Sequence, residues 1–219
     1  MNQILRRSFA AATACVAALA AASCGPPTPH NTGVYMLLDT SGTYHEELDK
    51  AKQIINYTLA RLDGLDTFAV ARIDTGSFSE QDIMAKVTLD DRPSAANQQK
   101  RDFAQAIDRF LDETPKSPYT DITGGLLQAV EFLNEKQPGR KTIFIFSDLK
   151  EDLQAGYIRD IEVPVDGFEI VALNVTKLRS DNVDPREYMT RLDEWKERVE
   201  QEGGTWRVIN DLDRLETLL

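Results

Sequence analysis

Oxygen-bearing side chains gather at a few points of this chain, and each point borders an apolar run. Residues 34–38 are continuously apolar and lead into Asp39-Thr40-Ser41-Gly42-Thr43, a carboxylate among hydroxyls. Residues 141–146, K-T-I-F-I-F, lead into Ser147-Asp148. Tyr119-Thr120-Asp121 stands before an amphipathic stretch, and Asp74-Thr75 follows residues 67–73. Carboxylates and hydroxyls suit a hard cation such as Mg²⁺, which takes oxygen ligands and keeps part of its water. His30 and His45 are separated, solvent-facing positions and make no zinc site. Asp74-Thr75 reads as turn chemistry rather than a ligand pair.

An α/β scaffold must position these groups. Short continuous apolar runs are the mark of strands buried on both faces, and residues 34–38 and 141–146 have that character. Further strands are expected at 67–73, 168–175 and 206–209, with 84–89 as an antiparallel edge beside 67–73. Helical spacing predicts a helix over about 44–62, carrying Leu48, Ala51, Ile55, Leu59 and Leu62 and ending at Gly64. A second, capped by Ser94, carries Phe103, Ala104, Ile107, Phe110 and Leu111. A third covers about 123–135 with Leu126, Val130 and Leu133 inward, and Pro138-Gly139 breaks it. Asp184-Pro185-Arg186-Glu187 opens a fourth, with an acidic cap, Pro at N1 and Glu at N3. It buries Tyr188, Leu192, Trp195 and Val199 and stops at Gly203-Gly204. Leu212, Leu215 and Leu219 mark a closing helix, and a short one is expected over 153–161. The alternation predicts a doubly wound, mostly parallel central sheet with helices on both faces, and about six strands in the order 3-2-1-4-5-6 are expected. Ligands of such sheets sit outside the carboxyl ends of the strands, where the oxygens collect.

Three of these stretches together resemble the von Willebrand factor A domain and its metal-ion-dependent adhesion site. The family's D-x-S-x-S loop after an apolar strand corresponds to Asp39-Thr40-Ser41-Gly42-Thr43. Its Thr before a helix, with Leu six positions on, corresponds to Thr120 and Leu126. Its apolar strand ending Ser/Thr-Asp corresponds to 143–148. The resemblance covers essentially residues 33–219. It implies a Mg²⁺ or Mn²⁺ held by Asp39, Ser41, Thr43, Thr120 and Asp148, and a water displaced by an Asp or Glu of a partner protein. Ser41, Thr43 and Thr120 would supply three neutral oxygens. Asp39 and Asp148 would balance the ion's charge, directly or through bound water. Two departures stand out: Thr43 replaces the last Ser, and Leu149 stands where many members have Gly.

Other readings of the same residues remain open. Thr43-x-x-Glu46 is also a capping box, Thr120 can cap the next helix, and Asp148 can be a turn residue. The Asp39 loop also resembles the D-K-T-G-T phosphorylation loop of P-type ATPases and, more loosely, that of other haloacid-dehalogenase-like phosphotransferases, in which Asp39 would be the nucleophile. Ser41 stands where most soluble members carry a second Asp, Lys150 comes too late for the family's Lys, and no cap insertion is present. A third possibility is an A-type scaffold with a vestigial metal site.

Residues 1–23 read as an export signal, with Arg6-Arg7 before an Ala-rich apolar stretch too short to span a bilayer. The stretch Ala21-Ala22-Ser23-Cys24-Gly25 resembles a bacterial lipobox, which implies cleavage before Cys24 and acylation of that residue. Ala21 stands where Leu is commonest, and Arg6-Arg7-Ser8-Phe9 also resembles part of a twin-arginine signal. Residues 24–32 are then a lipidated Cys and a Pro-rich tether, and 33–219 one domain. Cys15 leaves with the signal and Cys24 is acylated, so the domain retains no thiol for a disulfide or zinc. Removing two arginines and no acidic residue takes the net charge from −11 to −13, which argues against nucleic acid as partner. The chain therefore reads as a membrane-anchored envelope module and not an enzyme. Gly25 after the Cys is compatible with the periplasmic side of an outer membrane.

Overall fold

The computed structural model describes residues 29–41, 47–74, 76, 78–113, 117–156, 161–178, 181, 184–211, 215–216 and 218. Six strands form one sheet: β1 (Thr32–Asp39), β2 (Thr67–Ile73), β3 (Ile83–Thr88), β4 (Arg140–Phe146), β5 (Phe168–Leu173) and β6 (Thr205–Ile209). Their order is β3-β2-β1-β4-β5-β6, as expected. All neighbours are parallel except the β2–β3 pair at the edge. β1 is buried from Gly33 to Asp39 because β2 and β4 flank it and helices cover both faces. β3 shows the half-buried pattern of an edge strand.

Side-chain alternation divides the core into two layers. Tyr35, Leu37, Ile143 and Ile145 face α3 (Ile122–Lys136) and α4 (Pro185–Gln201). Val34, Met36, Leu38, Phe144 and Phe146 face α1 (Leu48–Arg61) and α2 (Pro93–Glu113). The doubly wound architecture is thus present, with two helices on each face among the described residues.

Local chemistry explains where the elements begin and end. Asp184 caps α4 by accepting the Arg186 N–H, and Pro185 occupies the first turn, as its sequence implies. For α2 the expected cap is displaced. Pro93 is already helical, since its fixed φ suits the first position, and the Arg92 carbonyl accepts the first bonds from Ala95 and Ala96. Ser94 therefore lies inside the first turn. β5 ends two residues early because Asn174 takes a left-handed conformation, φ 52°. Around 153–161 the described residues form no helix, and a turn with Gly156 at φ 97° interrupts them. Residues 44–46 and most of the expected closing helix lie outside the described residues, but Leu215 and Leu218 pack into the second layer.

The chain enters at the amino end of β1. The Asn31 carbonyl accepts the Gly139 and Arg140 N–H groups at 2.9 and 3.2 Å, and its side chain donates to the Leu65 carbonyl. Gly33 has no room for a side chain, since a Cβ would sit 2.5 Å from Pro138 Cγ and 2.8 Å from Leu133 Cδ2. A proline ring cannot yield as a flexible side chain would. Gly33→Ala is expected to lower stability by about 1–3 kcal/mol, the usual range for overpacking. A urea unfolding curve with unchanged m-value and reduced midpoint checks this.

Candidate metal centre

Parallel pairing of β1 with β4 sets Leu38 opposite Phe146, so the residues that follow them emerge side by side. The Ser147 hydroxyl donates to Asp39 Oδ2 at 2.7 Å, and the Ser41 N–H donates to Asp39 Oδ1 at 2.8 Å. Asp39 is only 1% exposed and Asp148 5%. Asp148 Oδ1 accepts the Lys150 N–H at 2.9 Å. The pair lies where the strand order reverses: from β1 the sheet grows through β2 to β3 on one side and from β4 through β5 to β6 on the other, the strands themselves staying parallel from β2 to β6. That crevice is the usual ligand position of an open α/β sheet.

The segment after β4 is tied to every neighbouring loop. Thr120 and Asp152 exchange backbone hydrogen bonds at 2.8 and 3.0 Å, which brings buried Thr120 to the same pole. Glu151 accepts the Thr123 N–H at 2.7 Å, one of the donors that α3 cannot satisfy internally. Asp121 is the cap of α3, accepting from Gly124 at 2.8 Å, so Thr120 is released from that role. Ser41 bridges to Ser117, whose hydroxyl lies 2.6 Å from Asp74 Oδ1. Asp74 also pairs with Arg72, in keeping with a structural role.

Leu149 takes φ 65°, a conformation that glycine adopts freely and leucine at a cost of about 1–2 kcal/mol. This explains why Gly is common here in the family it resembles. The strain is held by three contacts. The Leu149 N–H meets the Ser147 hydroxyl at 3.1 Å, Trp195 Nε1–H donates to the Leu149 carbonyl at 2.9 Å, and the leucine side chain is buried.

Burial raises the Asp39 pKa, although hydrogen bonds from Ser147 and Ser41 oppose the rise. Asp148 is pushed up to about 6, first by burial and then by the negative charge of Asp39, while the Lys150 N–H, Arg191 and Lys150 act the other way. Arg191 is itself committed to Asp181 at 2.9 Å. Two buried carboxylates thus lie near enough for the charge of one to raise the pKa of the other, and a proton or a metal would relieve both. Among the described residues no three His, Cys, Asp or Glu side chains cluster as metal ligands. The donors at this pole are instead two carboxylates with the hydroxyl residues Ser41 and Thr120, a hard-oxygen set that fits Mg²⁺ or Mn²⁺.

Of the residues singled out from sequence, Asp39, Ser41, Thr120 and Asp148 come to one pole of the sheet. Thr43 and Cys24 lie outside the described residues. The chain positions Asp39 and Asp148 through residues that sequence reading had given no role at the site: Ser147, Arg191 and Trp195. Ser147 was visible as part of Ser-Asp, whereas Trp195 read as core and Arg191, more than forty positions from Asp148, carried no local signal.

No family model matches the chain, and neither does any curated protein. Among solved structures it is similar to a von Willebrand factor type A protein from Catenulispora acidiphila, at 16% identity over 85% of this chain and TM-score 0.51. It is also similar to the pilus adhesin SpaC from Lactobacillus rhamnosus GG in an open conformation, at 12% identity over 88% and TM-score 0.52. The chain spans 40% and 29% of the lengths of those two proteins. The likeness is one of fold, and the doubly wound sheet is that of von Willebrand factor A domains.

The raised Asp148 pKa has a consequence for stability without metal. The folded chain holds this proton more tightly than the unfolded one, so stability is fully present below pH 4 and falls as pH rises through about 6. The loss attributable to Asp148 is about 3 kcal/mol, and Asp39 adds to it in the same direction. Asp148→Asn, which keeps the acceptor for Lys150, is expected to flatten this slope in chelator-treated protein. Urea midpoints measured between pH 4 and 7.5 test it.

Proposed function

We propose that the chain is an envelope-anchored adhesion or assembly module that binds a divalent cation and, through it, a carboxylate of a partner protein. The observation that carries this reading is the convergence of Asp39, Ser147 and Asp148 in the crevice between β1 and β4, with Ser41 and Thr120 beside them. Asp39, Asp148, Ser41 and Thr120 would hold Mg²⁺ or Mn²⁺ together with Thr43. The metal would supply a site that an Asp or Glu side chain can enter by displacing water. No catalytic step is assigned to the chain.

The direction of β1 gives this reading a geometry. Pro29–Asn31 enters at one end of β1 and Asp39 stands at the other, seven residues or about 23 Å away. A chain acylated at Cys24 would reach its domain through a tether of at most about 27 Å. It would present the metal pole away from the bilayer. No helix among the described residues is long and apolar enough to cross a membrane.

Melting curves with Mg²⁺ and Mn²⁺ test the metal. A ligand at one hundred times its dissociation constant adds about 2.7 kcal/mol, and Asp39→Ala should abolish the gain. The gain should shrink from pH 7.5 to pH 5 as protons compete for Asp148. A Tm unchanged by millimolar metal points instead to a vestigial scaffold. Metal-dependent hydrolysis of p-nitrophenyl phosphate, lost in Asp39→Ala, would replace this reading with the phosphotransferase. Anchoring is tested separately, since Cys24→Ala should leave an uncleaved or soluble form absent from the detergent phase of membrane extracts.

A further inference from the structure

Two side chains of α4, one helical turn apart, reach the backbone that carries Asp148. Arg191 Nε–H donates to the Asp148 carbonyl at 2.8 Å, and Trp195 Nε1–H donates to the next carbonyl, Leu149, at 2.9 Å. Residues four apart lie on one helix face, so the two donors form a single clamp on two consecutive peptides. Both donors are themselves held. The Arg191 guanidinium meets Asp181 at 2.9 and 3.3 Å, with the Asp181 carboxylate out of solvent, and Trp195 is 6% exposed. Arg198 lies 5.2 Å from the Trp195 ring and donates to Thr123 at the start of α3.

Packing holds this loop on one side, where Leu149 is buried in the core. A cavity of about 510 Å³ opens beside it, lined by Leu149, Lys150, Arg186, Arg191, Trp195 and Arg198 among others. On that side the loop has space to move, and Leu149 sits in a conformation that leucine leaves readily. A backbone in a sparsely populated region persists only where its surroundings overdetermine it. We infer that Arg191 and Trp195 are positioning residues, which hold the Ser147–Lys150 loop so that the Asp148 carboxylate faces Asp39. Both act through the Asp148 and Leu149 carbonyls. Their effect on cation binding rests on the metal reading above, whereas their hold on the loop does not.

The experiment separates the two on the full chain in detergent. Trp195→Phe removes one donor, Arg191→Met removes the bond to Asp148 together with the ion pair to Asp181, and Val199→Ala serves as control, deleting core volume one turn further along the same helix without removing a hydrogen bond to the loop. Hydrogen exchange of peptides covering residues 147–152 is followed without metal, and Mn²⁺ binding by calorimetry. Both clamp variants are expected to speed loop exchange at least tenfold while peptides of β1 exchange as before, and to weaken Mn²⁺ at least tenfold. Val199→Ala should lower the Tm and leave loop exchange and Mn²⁺ affinity unchanged. Unaltered loop exchange in both clamp variants overturns the inference. So does equal loop opening in Val199→Ala, or a loop that opens while Mn²⁺ binds as tightly as before. If the unmutated chain takes no Mn²⁺ yet the loop opens in the clamp variants, the clamp stands and the metal reading falls.

Discussion

An ionisable group buried without water must be hydrogen-bonded, neutralised or paired, and Asp39 imposes that requirement at the centre of this molecule. It ends a strand that has neighbours on both edges and helices on both faces, so solvent cannot satisfy it. Ser147 answers from the adjacent parallel strand and Ser41 from the following turn. Asp148 follows at the next position, buried and within reach of the charge of Asp39. The arrangement of the whole pole descends from this one hydrogen-bonded carboxylate. Strand register, the course of the β4 loop and the opposition of two acids are its parts.

The cost of that arrangement is distributed over the segment Ser147–Asp152. Its side chains and peptides reach β1, the loop before α3, the amino end of α3 and the face of α4. A strained residue in its middle, Leu149, is tolerated because its neighbours leave it few alternatives. Such a loop is fastened to its scaffold on several sides rather than hanging as a free connection. The two core layers supply the rigidity, since every strand that carries a site residue is fully buried along its carboxyl half.

The polarity of the sheet organises the molecule at a larger scale. Parallel strands put all their carboxyl ends at one pole, so the chain's entry point and its acidic crevice are held apart by the length of β1. Asn31 fastens the entry to Gly139, Arg140 and Leu65 at the opposite pole.

The central strands were legible in the amino-acid sequence because burial on both faces leaves an unbroken apolar run. Residues 34–38 and 141–146 could scarcely be anything but central strands. The Asp184-Pro185 start of α4 was legible for a similar reason, since capping chemistry is local. Ser94 misled because Pro93 beside it is the stronger helix-starting residue. Asp39, Ser41, Thr120 and Asp148 could be nominated because each stands at a strand end or loop, where local order places it at the ligand pole. What the sequence could not contain is the distance between them. The replacement of Thr120 by Asp121 as helix cap and the Asp39–Ser147 bond were decided only by folding. So was the clamp of Arg191 and Trp195 on a leucine forced to φ 65°. Hydrogen bonds between residues forty to a hundred positions apart leave no periodic trace in a chain. They exist only after parallel pairing and helix packing have brought their partners to within 3 Å of each other.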